Sequence, residues 1–187
     1  MITVEGKAKI NLTLDVLGKR PDGYHEVAMV MQSVALHDTI EMEKTEDAIQ
    51  LSISVPWLRA DEGNLAWRAA DLMRRTYQLD GGVRMHLTKR IPVAAGLAGG
   101  SADAAAVLRG MNELYGLGLP CRTLCDLGAS LGSDIPFCPL TALSQSEHSW
   151  PAAGHHACHR ALLQHHRFIP GNDLILFNSN TFKHIAQ

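Results

Sequence analysis

The residues best suited to chemistry lie in Ile91-Pro-Val-Ala-Ala-Gly-Leu-Ala-Gly-Gly-Ser-Ala-Asp-Ala-Ala-Ala106. An apolar strand end passes through Gly96, Gly99 and Gly100 into an alanine-rich run of strong helix formers. Glycines there allow positive φ values and close approach of a ligand to the backbone. Ser101 is the expected helix N-cap, so that unpaired N–H groups and the positive end of the helix dipole face the turn. Such a turn suits a phosphate, held by backbone amides and a hydroxyl. A tight packing turn would need the same glycines. No G-K-[ST] follows them and the spacing is not G-x-G-x-x-G, so neither the P-loop nor the dinucleotide fingerprint applies.

Three further groups stand near predicted element ends. Lys9 and Asn11 share one face of a strand expected over residues 2–17, opposite Ile10, Leu12, Leu14 and Val16. They either line a site or face solvent, and the pattern alone favours solvent. Tyr24 and His25 follow the turn-rich Gly18–Gly23 segment, where an aromatic ring and an imidazole can stack on or hydrogen-bond a planar ligand. Asp134 sits in a Ser-Asp turn before an apolar segment, a position where aspartate usually shapes the loop.

The elements that must position these groups can be read from periodicity. Strands are expected at 27–36, 39–43 and 49–55, and another carries Val83, Met85 and Leu87 into the glycine turn. Asn64 opens a helix with Leu65, Ala69, Leu72, Met73 and Tyr77 at three-to-four spacing, broken by Asp80-Gly-Gly82. The helix from Ser101 should stop at Gly116, and a shorter one should span 120–131.

The 187 residues suffice for one domain or a small pair. A net charge of −2 with intermixed signs gives no electrostatic case for nucleic acid or an anionic membrane. No apolar run is long enough to span a bilayer and no secretory signal is visible, so a cytoplasmic protein with reduced Cys121, Cys125, Cys138 and Cys158 is expected. Seven of the ten histidines lie beyond position 147. With Cys158 they do not match a usual zinc spacing, and no metal site is assigned.

Taken together, Lys7-Ala-Lys-Ile-Asn-Leu12, Lys19-Arg-Pro-Asp-Gly-Tyr-His-Glu26, Gly63-Asn-Leu65, Ile91–Ala106 and Leu131-Gly-Ser-Asp-Ile-Pro-Phe-Cys138 resemble the GHMP small-molecule kinases. The closest likeness is to the branch acting on 4-diphosphocytidyl-2-C-methyl-D-erythritol. The resemblance implies an α+β fold of the ribosomal protein S5 domain 2-like type, with a mostly antiparallel sheet backed by helices, over residues 1–138. It implies Asp134 as catalytic base and Lys9 as the catalytic lysine. Asn11, Tyr24 and His25 would surround a cytidine diphosphate substrate. Asn64 and Leu65 would line the adenine pocket. Pro92, Val93, Ala94, Ala95, Gly96, Leu97, Ala98, Gly99, Gly100, Ser101 and Ala102 would form the ATP phosphate loop. ATP and Mg²⁺ would be required, and the product would carry a phosphate on the 2-hydroxyl, a step of non-mevalonate isoprenoid synthesis.

The resemblance stops after Cys138. The family continues with Gly-Gly-Thr-Ala-Leu and a Gly-Arg-Gly-Glu turn, whereas this chain reads Pro139-Leu-Thr-Ala-Leu-Ser-Gln-Ser-Glu147. A faint echo returns at Asn172-Asp-Leu174. Residues 139–187 therefore read as an atypical His-rich tail, as though truncated or frame-shifted, with the family's C-terminal domain largely missing. Low or absent activity is expected in consequence. The alternatives are an inactive nucleotide-binding fragment and a GHMP kinase for another alcohol such as mevalonate, homoserine or a sugar; Pro21–His25 speaks against the second.

Overall fold

A computed structural model describes residues 1–19, 25–137 and 174–178, with residues 25–28 and 174–178 described by backbone alone. The elements are β1 (Ile2–Lys19), β2 (His25–Thr45), β3 (Gln50–Ile53), α1 (Leu65–Thr76), β4 (Gly82–Thr88), α2 (Gly99–Tyr115), α3 (Cys121–Ala129) and β5 (Leu174–Asn178). The sheet runs β1-β2-β4-β3, with β5 paired to β2 as well. All pairings are antiparallel except β3 with β4, which α1 connects in parallel. This is the expected α+β arrangement.

The core forms where apolar faces of β1, β2 and β4 meet the alanine-rich helices. Val83, Met85 and Leu87 alternate inward on β4, as their spacing predicts. Ile40 and Met42 face the same core from β2. Helix α2 buries Ala102, Ala104, Ala105, Ala106, Val107, Leu108 and Met111, small side chains that let it lie close to the sheet. The closest approach is at Gly6 of β1, where a Cβ would come within 2.8 Å of the Ala102 carbonyl oxygen. At the other end, Gly116 adopts φ 66° and closes α2, as expected of a glycine stop.

Several boundaries differ from expectation. The two strands expected at 27–36 and 39–43 are one strand, β2. His37-Asp38 looks like polar punctuation, but the Asp38 side chain is fully buried and accepts backbone N–H bonds from Arg90 and Ile91. The strand therefore continues through it. The strand expected at 49–55 is confined to Gln50–Ile53, the segment that pairs with β4. Helix α1 buries Ala66, Ala69, Ala70 and Met73, while Leu72 of the expected stripe is only half-buried. The shift follows from the close packing of α1 on α2, which small side chains permit and leucine would prevent.

The N-terminus of α2 also departs from the sequence reading. Helix α2 begins at Gly99 with Ala98 in the cap position, and no side chain caps it. Ser101 lies inside the first turn. The cause is Ala98, whose left-handed φ of 57° turns the chain three residues earlier than a cap at Ser101 would.

Candidate active site

The site is assembled from β1, the loop between β4 and α2, and the turn after α3. Lys9 ends the well-covered part of β1. Its backbone N–H donates to the Leu97 carbonyl at 3.1 Å, pinning the strand to the glycine loop. Its ammonium donates to Asn11 Oδ1 at 3.1 Å and lies 3.7 Å from Asp134 Oδ2. The face that the alternation favoured for solvent is thus buried at Lys9, which is 5% exposed. The register between β1 and β2 slips between Lys7 and Lys9, and this irregularity turns Lys9 inward after Ala8. Burying an ammonium is tolerable because it donates to Asn11 and is ion-paired with Asp134.

Asp134 is held by its neighbours. Ile135 and Phe137 are buried anchors on either side of Pro136. Gly128 of α3 leaves room for Ile135, whose Cγ2 a Cβ at that glycine would approach to 2.6 Å. The Asp134 side chain stays about a third exposed, at 35%, so its carboxylate meets both Lys9 and solvent.

The loop from Pro92 to Ala98 is open. Pro92, Val93, Ala94, Ala95 and Gly96 are exposed, Leu97, Ala98 and Gly99 are half-buried, and Ala102 is buried. Positive φ values occur at Ala94 (59°), Gly96 (75°) and Ala98 (57°), and the expectation that Gly99 and Gly100 supply them is corrected. Both of those glycines are helical. Gly99 is needed for space, since a Cβ there would lie 3.1 Å from Ile91 Cγ2. Gly100 is exposed at the helix tip, with Leu65 Cδ1 in ordinary contact distance of an added Cβ. Left-handed residues thus alternate along the loop, two of them alanines at a cost of roughly 1 kcal/mol or more each. Strain of this kind is kept where surrounding structure imposes it.

Asn64 caps α1: its Oδ1 accepts from Ala66 N–H at 2.9 Å and its Nδ2 donates to the Arg59 carbonyl at 2.8 Å. Leu65 begins the helix beside the glycine loop. His25 opens β2 opposite Lys19, ten positions along β1 from Lys9 and so about 30 Å of strand away. By this pairing the His25 backbone lies far along the β1–β2 ladder from Lys9. Tyr24 and the histidines after position 147 lie outside the described residues. Among the described residues no group of three His, Cys, Asp or Glu side chains is placed to hold a metal, and no helix is long and apolar enough to cross a membrane.

Sequence reasoning missed a cluster beneath the loop. Lys89 donates to Asp38 and, at 2.6 Å, to Asp103 Oδ2; all three side chains are almost fully buried. Burial alone would lower the Lys89 pKa, but Asp103 and Asp38 outweigh it and hold it raised. Burial pushes the Asp103 carboxyl up to about 7, with Asp38 adding to the rise and Lys89 opposing it. An aspartate among the alanines of 102–106 was the available signal, because a charge in so small-residue a stretch of helix has to find a buried partner.

Comparison with known proteins bears on the family and the fold of the chain. Residues 64–141 match the GHMP kinases N terminal domain. The 4-diphosphocytidyl-2-C-methyl-D-erythritol kinase of Acetivibrio thermocellus is 54% identical over 137 residues, covering 73% of this chain and 48% of the relative. That of Brevibacillus brevis is 55% identical over 138 residues, covering 73% and 47%. A solved 4-(cytidine 5'-diphospho)-2C-methyl-D-erythritol kinase superposes with a TM-score of 0.65 at 38% identity, covering 74% of this chain and 49% of the other. A mevalonate kinase superposes with a TM-score of 0.56 at 16% identity, which supports the fold alone. The chain spans about half the length of the curated relatives it matches.

Proposed function

We propose that this chain, similar over residues 64–141 to the GHMP kinases N terminal domain, serves ATP-dependent phosphorylation of the 2-hydroxyl of 4-diphosphocytidyl-2-C-methyl-D-erythritol. The observation that carries this reading is the meeting, at 3.7 Å, of Asp134 from the turn after α3 with Lys9 on β1, whose backbone N–H is bonded to the glycine loop. The names of the half-identical relatives support the choice of acceptor.

Phosphoryl transfer requires neutralised charge on the γ-phosphate and an aligned nucleophile. The exposed loop after Pro92 and the N-terminal tip of α2 offer backbone N–H groups, which suit nucleotide phosphates. Asp134 accepts the acceptor's hydroxyl proton as that oxygen bonds to the γ-phosphorus and the bond to the β,γ-bridging oxygen breaks, releasing ADP. Lys9 steadies the developing alkoxide and the transferring group, and Asn11 fixes the Lys9 ammonium. Magnesium, when bound with the nucleotide, supplies further neutralisation of the phosphates. The residues present fit that role in a limited way, since the Ser101 hydroxyl in the first turn of α2 and the part-exposed Asp134 carboxylate offer oxygen donors. Asn64 and Leu65 border the adenine end, with Asn64 acting chiefly through its cap.

A second reading, an inactive fragment that binds nucleotide, is favoured by the exposed apolar stretch Leu12–Leu17 on β1. A coupled ADP-release assay with the cytidine diphosphate substrate, mevalonate and homoserine separates the readings. Release with the first alone, inhibited by cytidine nucleotides, supports the proposal. Nucleotide binding without release in any arm supports the fragment reading.

A further inference from the structure

The Asp38–Lys89–Asp103 cluster has no part in the chemistry described so far, yet it lies against the glycine loop. Lys89 ends the segment that leads from β4 into the loop, and Asp103 sits in the second turn of α2 on its other side. A Cβ on Gly99 would stand 3.3 Å from the Lys89 ammonium, so the charge rests against the loop-to-helix junction. Asp38, from the centre of β2, accepts the N–H groups of Arg90 and Ile91, the two residues that enter the loop. Three buried ionic side chains therefore tie sheet, loop entry and helix tip together. Replacing such a cluster by apolar residues would often cost little, so its retention asks for another reason than stability.

The charge sum supplies one. With both carboxylates ionised the cluster carries −1 beneath a loop whose shape suits an anion; with one protonated it is neutral. Asp103 Oδ1 is buried without a hydrogen-bond partner, so this carboxyl is the less completely satisfied of the two. We propose that Asp38, Lys89 and Asp103 are positioning residues that hold the glycine loop from beneath, and that phosphate binding in the loop is coupled to proton uptake by Asp103. The proposal rests on the reading that the loop binds nucleotide phosphates. The near-neutral Asp103 carboxyl is consistent with it. Lys89 and Asp38 are the charged groups acting on Asp103; α1 presents Ala66, Ala69 and Ala70 to the core, and β1 presents Val4, Gly6 and Ala8 together with the buried Lys9, whose ammonium is turned to Asn11 and Asp134. An anion bound above the cluster raises the proton affinity further, and linkage requires that affinity for the anion then fall as pH rises.

The test combines two measurements on the full chain, Asp103→Asn and Lys89→Met. Calorimetric titration with a magnesium complex of a non-hydrolysable ATP analogue, in buffers of different ionisation enthalpy, counts protons taken up near pH 7.5. Amide hydrogen exchange of the unliganded proteins compares residues 91–98 with α1. Wild type is expected to take up a fraction of a proton and to bind about fivefold more weakly at pH 8.5 than at pH 6. Asp103→Asn should take up none and show a flat profile, and both variants should exchange faster in 91–98 with α1 unchanged. Equal proton uptake in wild type and Asp103→Asn overturns the coupling, and unchanged loop exchange in the near-isosteric Asp103→Asn overturns the positioning role. If wild type binds no nucleotide while loop exchange still responds, the functional reading fails and the positioning role stands.

Discussion

The two halves of β1 have similar sequence patterns and different surroundings. Residues 2–5 pair with Thr39–Met42 of β2, which β4 flanks on the other edge, and α2 lies across the first half of β1 at Gly6. Val4, Gly6, Ala8 and Lys9 are buried there. Residues 11–19 pair with the first part of β2, and every one of them is exposed. Leu12, Leu14, Val16 and Leu17 are exposed at 52, 51, 60 and 58% although they are more apolar than their counterparts in the first half. Alternation thus tells which residues share a face of a strand, while burial depends on whether another layer covers that face. The change falls at Lys9, and the candidate chemistry sits at this boundary, where a side chain can be fixed by packing and still reach solvent-borne reactants.

Substitutions in the covered half should therefore be costly and those in the open half nearly silent. Gly6→Val drives a side chain into the Ala102 backbone and should cost about 3 kcal/mol, seen as a lower urea midpoint with separation of α2 from the sheet. A loss below about 0.5 kcal/mol would show that α2 is not seated on Gly6.

The next effect is one of pH. Asp103 binds its proton more tightly folded, at about 7, than the ordinary aspartate value of 3.8. Its contribution is thus fully present below 3.8 and lost as pH rises through 7, on the order of a few kcal/mol at about 1.4 kcal/mol per unit. Urea unfolding from pH 4 to 8 should show this decline in wild type and not in Asp103→Asn; parallel curves would refute it.

Asn64→Ala removes the α1 cap and should cost about 1 kcal/mol in the same assay, with Asn64→Asp retaining most of it. In the open half, Leu12→Thr with Leu14→Thr should change stability by less than about 0.5 kcal/mol while reducing light scattering on concentration. A large loss would mean that this stretch is covered after all.

The same contrast explains what was legible in the sequence. Strand β4 and the ends of α2 and α1 follow from local signals: alternation at Val83, Met85 and Leu87, the stop at Gly116, the cap at Asn64. The inward turn of Lys9 depends on a register slip against β2, which no local pattern encodes. The start of α2 was misplaced because the left-handed turn falls on Ala98, a residue type that gives no warning of positive φ. The gap expected between strands 27–36 and 39–43 is closed because Asp38 finds its partners, Arg90 and Ile91, more than fifty residues away. The juxtaposition of Lys9, Asn11 and Asp134 came from the resemblance, with nothing in their separate spacings to require it.

Single-turnover transfer of label from γ-labelled ATP to 4-diphosphocytidyl-2-C-methyl-D-erythritol, in wild type and Asp134→Asn, bears most directly on the proposed chemistry. The account predicts labelled acceptor with the wild-type chain, formed more slowly than by a full-length relative, and a drop of at least about 100-fold in Asp134→Asn with ATP affinity retained. Transfer at equal rates in both proteins would contradict it.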